Sequence, residues 1–184
     1  MYNDTSPCHC ILFDAKGGIT NGFLKRRTQE EFDKALVALK NKNGRLAAFY
    51  MGALAHYVGD LSQFCHIMGK ESHFGKEDDD VHKKYETAVN NTVDFKTRTS
   101  SLIDSFTTPV TVDGSTAIAV SVAKFTETGT SGRNPRFMHT HYRALIKQHR
   151  NSNPTDWDQS FHEQTGESIN VSVNGIAKVL GMLN

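Results

Sequence analysis

The run RLAAFYMGALAHYVGD, residues 45–60, constrains the fold more than any other stretch of this chain. Leu46, Phe49, Tyr50, Ala53 and Leu54 recur at spacings of three and four, which gathers them on one broad face of a helix. A helix with so wide an apolar face has to be covered by other elements, so the chain must build a helical core around it. Yet the helix ends in His56 and Asp60, and His66 follows in HYVGDLSQFCH (56–66). Two imidazoles and a carboxylate on a core-like helix form either a satisfied polar patch or a binding site.

The remaining sequence supplies partners for that helix. Thr28 followed by Glu31 reads as a capping box. Phe32, Leu36 and Leu39 then recur at helical spacing up to a stop at Asn43-Gly44. An acidic start at Asp79 or Asp80 suits a helix N-terminus and predicts a helix into the low nineties. STAIAVSVAKF (115–125) fits a helix opened by Ser115 or a buried strand, because its Ile and Val residues suit both. Pro135 at a first turn begins a further helix through His149, and the last helix covers roughly residues 160–183. No repeat or long linker interrupts the pattern. The expectation is an all-α, multi-helix bundle forming a single helical metal-binding domain over residues 1–184, with metal ligands on facing helices.

Charge and length exclude several roles. With 184 residues the chain is long enough for one domain with a real core. Its net charge of +1 gives no strong electrostatic reason to expect nucleic acid or an anionic membrane surface as a partner. FLKRR (23–27) is the basic cluster that stands out, and a solvated helix entrance explains it as well as a lipid-facing patch does. No apolar run approaches the roughly 20 residues needed to span a bilayer. MYNDTSPCHC lacks the basic start and apolar middle of a signal peptide. Cys8, Cys10 and Cys65 are too few for a disulfide scaffold.

Spacing then divides the candidate ligands into two groups. His56 and Asp60 are four apart and share a helix face, so they can grip one ion. His66 would lie about 15 Å further along the axis if the helix continued, rotated away from that ion. Its partners appear in VHKKYE, where His82 and Glu86 are again four apart. Together, His66, His82 and Glu86 make a two-His, one-carboxylate set that leaves zinc an open position. His9 in SPCHC is the donor available to His56 and Asp60. A solitary His–x₃–Asp pair is ordinarily just a hydrogen-bonded pair. Two such pairs, with two further histidines in a chain of nine, weigh toward metal.

These same residues carry a resemblance. HYVGDLSQFCH followed by HKKYE resembles the signature of the zinc-dependent phospholipase C family, which is related to the S1/P1 nucleases. The preceding AAFYMGALAHYVGD and the upstream SPCHCILFD are similar as well, so the likeness covers about residues 6–90. It implies that His9, His56 and Asp60 bind one zinc, and that His66, His82 and Glu86 bind another. One to three ions are implied in all. Asp60 and Glu86 would act in catalysis, with a metal-activated water cleaving a phospholipid or other phosphodiester. The implied setting is secreted or extracytoplasmic, with transient membrane-surface contact. Glu86, at the position where the nuclease branch usually has Asp, favours the phospholipase side.

The departures from the family pattern are specific. The family has an amino-terminal tryptophan, then a His and an Asp, upstream of the segment matching His9. This chain starts too late to contain them, and its single tryptophan is Trp157. The chain therefore reads as shortened relative to the family, with Asp4 and Asp14 the nearest spare carboxylates. Phe64-Cys65 stands where the family has proline and a variable residue. The three thiols then ligate zinc, bridge two segments or pack as small apolar groups, with packing or a bridge favoured. The other readings of the same residues are an S1/P1-like nuclease and a catalytically impaired, metal-stabilised helical domain. His73, Asp78–Asp80 and the histidines of HTHYRALIKQH (139–149) read as loop, cap and surface residues. Sequons stand at Asn3, Asn90 and Asn170.

Overall fold

A computed structural model describes residues 10–13, 18–21, 23–63, 66–67, 87, 113–128 and 159–183. The fold is all-α, and the described residues form four helices of more than one residue: α1 (Phe23–Lys40), α2 (Gly44–Asp60), α3 (Ser115–Thr128) and α4 (Gln159–Gly181). A short antiparallel ribbon precedes them, β1 (Leu12–Phe13) on β2 (Ile19–Asn21). The helices touch in a closed ring, α1 on α2, α2 on α4, α4 on α3 and α3 back on α1. Each helix thus covers two neighbours, which is how a chain of this length hides four apolar faces in one core.

Inside the ring lie Leu24, Phe32 and Ala35 of α1 and Leu54, Tyr57 and Val58 of α2. Ile118, Ala119, Val122 and Ala123 come from α3, Val171 and Val179 from α4, and Ile11 and Phe13 plug one end from the ribbon. Small residues bring the helices close. An added Cβ on Gly175 of α4 would sit 2.7 Å from Val122 Cγ2 and 3.5 Å from Val58 Cγ1, so no larger residue fits where α4 crosses α2 and α3. Ser172 Oγ donates to the carbonyl of Val58 at 3.4 Å from the same helix.

α1 begins five residues before the capping box expected at Thr28. Thr28 lies inside the helix, and its hydroxyl donates to the carbonyl of Lys25 at 2.9 Å. Glu31 is fully buried rather than capping. It pairs with Arg27 at 3.3 Å and Lys34 at 2.7 Å. The basic cluster FLKRR is the first turn and a half of this helix. Arg26 reaches Glu30 at 3.3 Å, and Arg27 reaches Glu30 at 2.8 Å. Arg27 also donates to the Tyr57 hydroxyl at 3.1 Å and lies 5.6 Å from that ring's centre, tying α1 to α2. The helix-entrance explanation of this cluster is the one the contacts support.

The joint between α1 and α2 is tight. Asn43 N–H donates to Ala38 O at 2.9 Å and Lys42 N–H to Leu39 O at 2.8 Å, the paired bonds of a Schellman stop. Lys42 occupies the left-handed position of that motif, with φ 55°. Asn43 then caps α2, its Oδ1 accepting from Leu46 N–H at 3.1 Å. Of the apolar face expected on α2, Leu54 is buried and Tyr50 half-buried, whereas Leu46 and Phe49 are exposed.

STAIAVSVAKF is a helix, not a strand. Gly114, at φ +94°, turns the chain into it and offers the carbonyl that Ile118 N–H meets at 2.9 Å. Ser115 instead hydrogen-bonds Gln29 of α1 at 2.8 Å. Asn170 is buried and accepts from Asn174 at 3.1 Å, so its sequon is closed to modification in the folded chain. The helices expected at 79–92 and 135–149 lie outside the described residues, except for Thr87, which is helical. Among the described residues no helix is long and apolar enough to cross a membrane.

Candidate metal centre

Three of the six expected ligands, His56, Asp60 and His66, are described. His9, His82 and Glu86 lie outside the described residues, as do Cys8, Cys65, Asp4 and Asp14. The site is therefore built from the C-terminal end of α2 and the turns that follow it.

α2 ends at Asp60 because the chain folds back in consecutive turns. Ser62 N–H donates to Gly59 O at 2.9 Å, Gln63 N–H to Asp60 O at 3.0 Å and His66 N–H to Gln63 O at 3.0 Å. The Ser62 hydroxyl adds a bond to Gly59 O at 2.8 Å, occupying a carbonyl that the helix end leaves open. A straight continuation of α2 is thus ruled out. The axial separation of about 15 Å between His56 and His66 does not apply. His66 is returned instead toward the ribbon, where its carbonyl accepts from Ile11 N–H at 3.0 Å. Leu24 N–H meets the carbonyl of Cys10 at 3.3 Å on the other side. The residues just after position 9 are therefore stitched between the start of α1 and the turn carrying His66.

His56 Nε2 lies 3.4 Å from Asp60 Oδ2. The two differ in setting: the His56 side chain is 55% exposed and that of Asp60 only 12%. Asp60 is thus a largely buried acid rather than one on the helix surface. A carboxylate held beneath an exposed imidazole orients the ring, and the pair offers one nitrogen and one oxygen in the same direction. Two donors on one tetrahedral zinc, each about 2.0–2.2 Å from it, stand about 3.3 Å apart. The observed spacing fits that geometry. Gln63 Oε1, between Asp60 and His66 in the chain, is buried with no hydrogen-bond partner among the described residues. A buried acceptor of this kind normally meets a donor or a cation.

Among the described residues no three His, Cys, Asp or Glu side chains converge to hold a metal. His56 and Asp60 stand as a pair, and the remaining expected ligands of both groups except His66 lie outside the described residues. Cys10 is disulfide-bonded. Of the roles open to the thiols (zinc ligation, packing or a bridge), bridging is the one this residue takes. What residue spacing missed is the Tyr57 network: the His56 and Tyr57 ring centres are 5.7 Å apart, and Tyr57 in turn holds Arg27. The signal available was the position of Tyr57 on the buried side of α2, one residue after a candidate ligand.

Comparison with known proteins finds no family model, no curated protein and no solved structure that matches this chain.

Proposed function

We propose that the chain is a zinc-dependent phosphodiester hydrolase of phospholipase C type. The observation that carries the reading is the His56–Asp60 pair, an exposed imidazole nitrogen 3.4 Å from a largely buried carboxylate oxygen. The return of the chain beyond it, so that His66 hydrogen-bonds the residue two after His9, supports drawing the other ligands toward the same end of the molecule. His9, His56 and Asp60 would hold one ion, and His66, His82 and Glu86 another.

Zinc bound there supplies Lewis-acid charge for a phosphodiester oxygen and a source of hydroxide near neutral pH. The chain's own contribution is positional. Asp60, fixed by the helix end and by burial, sets the imidazole of His56. Tyr57, gripped by Arg27, stops α2 from rotating about its axis. The turn from Gly59 to His66 fixes the second histidine relative to the first.

The test is hydrolysis of a chromogenic phosphodiester and release of phosphocholine from phosphatidylcholine, each with and without a chelator. Metal-dependent turnover that is lost in His66→Ala supports the reading. Turnover unchanged in that variant, or after complete chelation, overturns it. A chain that unfolds on chelation yet hydrolyses neither ester would instead be a helical domain that uses zinc for folding alone.

A further inference from the structure

We propose that the tip of the α1–α2 hairpin is a docking surface for anionic phospholipid membranes. At this end of the molecule, far along α2 from His56, Val37, Leu46 and Tyr50 line an open groove of about 310 Å³. Val37 is 57% exposed, Leu46 40% and Phe49, packed edge-on against Tyr50, 46%. These are large apolar groups for a solvated hairpin tip.

Three exposed cations surround them. Lys40 is one turn beyond Val37, Lys42 is in the connection itself, and Arg45 is one turn before Phe49. None of the three makes an ion pair among the described residues. Among the described residues the only acid lining the groove is Asp33, which accepts from Gln29 at 2.9 Å, and no acid occurs from Ala35 to Gly59. FLKRR, the more conspicuous basic cluster, is by contrast occupied by Glu30 and Glu31.

Two of these cations stand where the backbone disfavours them. Lys42 takes a left-handed φ of 55° at a Schellman position that glycine fills without strain. Arg45 lies in the first turn of α2, which has no acidic residue and whose dipole repels a cation. Local stability would select Gly at the first position and Asp or Glu at the second. Positive charge at two positions whose backbone disfavours it, interleaved with exposed apolar side chains, matches a surface that is negative outside and apolar just beneath. That is the chemistry of an anionic bilayer interface. A nucleic acid or an acidic peptide would use the charges and leave Val37 and Leu46 without a role.

The proposal stands on the hairpin alone and is separable from the hydrolase reading, because docking needs no metal. The experiment is co-sedimentation of the full chain, in excess chelator, with vesicles of phosphatidylcholine alone or mixed with phosphatidylserine. Binding to the mixed vesicles should greatly exceed binding to phosphatidylcholine and should fall with added salt. Lys42→Gly should weaken it about fivefold, and Lys40→Ser, Lys42→Gly and Arg45→Ser combined on the order of a hundredfold. Leu46→Ser should weaken it as well. Lys42→Gly relieves strain, so lost binding in that variant is not lost folding. No binding to the mixed vesicles, equal binding to both kinds, or an undiminished triple variant overturns the proposal. Capture of duplex DNA or polyglutamate by a chain that leaves vesicles alone also overturns it.

Discussion

The amide of Ile11 donates to the carbonyl of His66 across 3.0 Å, joining residues 55 positions apart in the chain. The bond involves only backbone, so side-chain replacement at His66 leaves it in place. It also brings the segment of the disulfide-bonded Cys10 against the residue that follows Cys65 in the sequence.

From that adjacency, peptide mapping of non-reduced protein should find Cys10 joined to Cys65 rather than Cys8. Cys10→Ser should lower stability by about 2–4 kcal/mol, measured by denaturant unfolding under non-reducing conditions. Wild-type stability in Cys10→Ser would show that the bond contributes nothing beyond the hydrogen bonds around it.

Asp60→Asn keeps the size of the side chain and one acceptor oxygen but removes the charge beneath His56. It should fold to the same helical content by circular dichroism, bind less zinc by elemental analysis, and lose hydrolytic activity. Zinc content equal to wild type in the purified variant would remove Asp60 as a ligand and the first metal site with it.

Gly175→Ala should destabilise the chain by about 1–2 kcal/mol although alanine is the better helix former. The new methyl group would meet Val122 Cγ2 at 2.7 Å, and a β-branched side chain yields little in a helix. Pairing it with Val122→Ala should recover part of the loss in thermal melts. A variant as stable as wild type would mean that α4 can shift away from α3 freely.

Lys42→Gly should raise stability by about 0.5–1 kcal/mol, the ordinary difference between glycine and another residue at a left-handed helix stop. An unchanged or lowered melting temperature would show that the lysine side chain makes up for its backbone strain.

Periodicity alone located α2 to within a residue at its start, and the last helix nearly as well, because both repeat apolar residues at three and four over many turns. It resolved less about which face would be covered. Leu46 and Phe49 are as apolar as Leu54, and only the approach of α1 and α4 decides that Leu54 is inside. The start of α1 differs because Thr28 and Glu31 fit a capping box by type, whereas Glu31 lies inside the helix, paired with Arg27 and Lys34 at spacings of four and three, and its burial depends on how α1 packs. The ribbon was missed because its strands have two and three residues, too few for alternation to show. At the candidate site, the His–x₃–Asp spacing was legible. The burial of Asp60 was not, since it depends on how the chain turns after Gly59.

Only Asn41, Lys42 and Asn43 separate α1 from α2, and each of them is committed to closing one helix or opening the next. The connection therefore has no slack to absorb a change in length. One residue more or fewer would turn α2 by about 100° relative to α1 and slide it about 1.5 Å. Tyr57 would leave Arg27, and His56 and Asp60 would turn with it. The count of residues from Arg27 to Asp60 is thus part of the specification of the site. Insertions and deletions should be absent from that interval in any chain that keeps this arrangement, even where individual side chains differ.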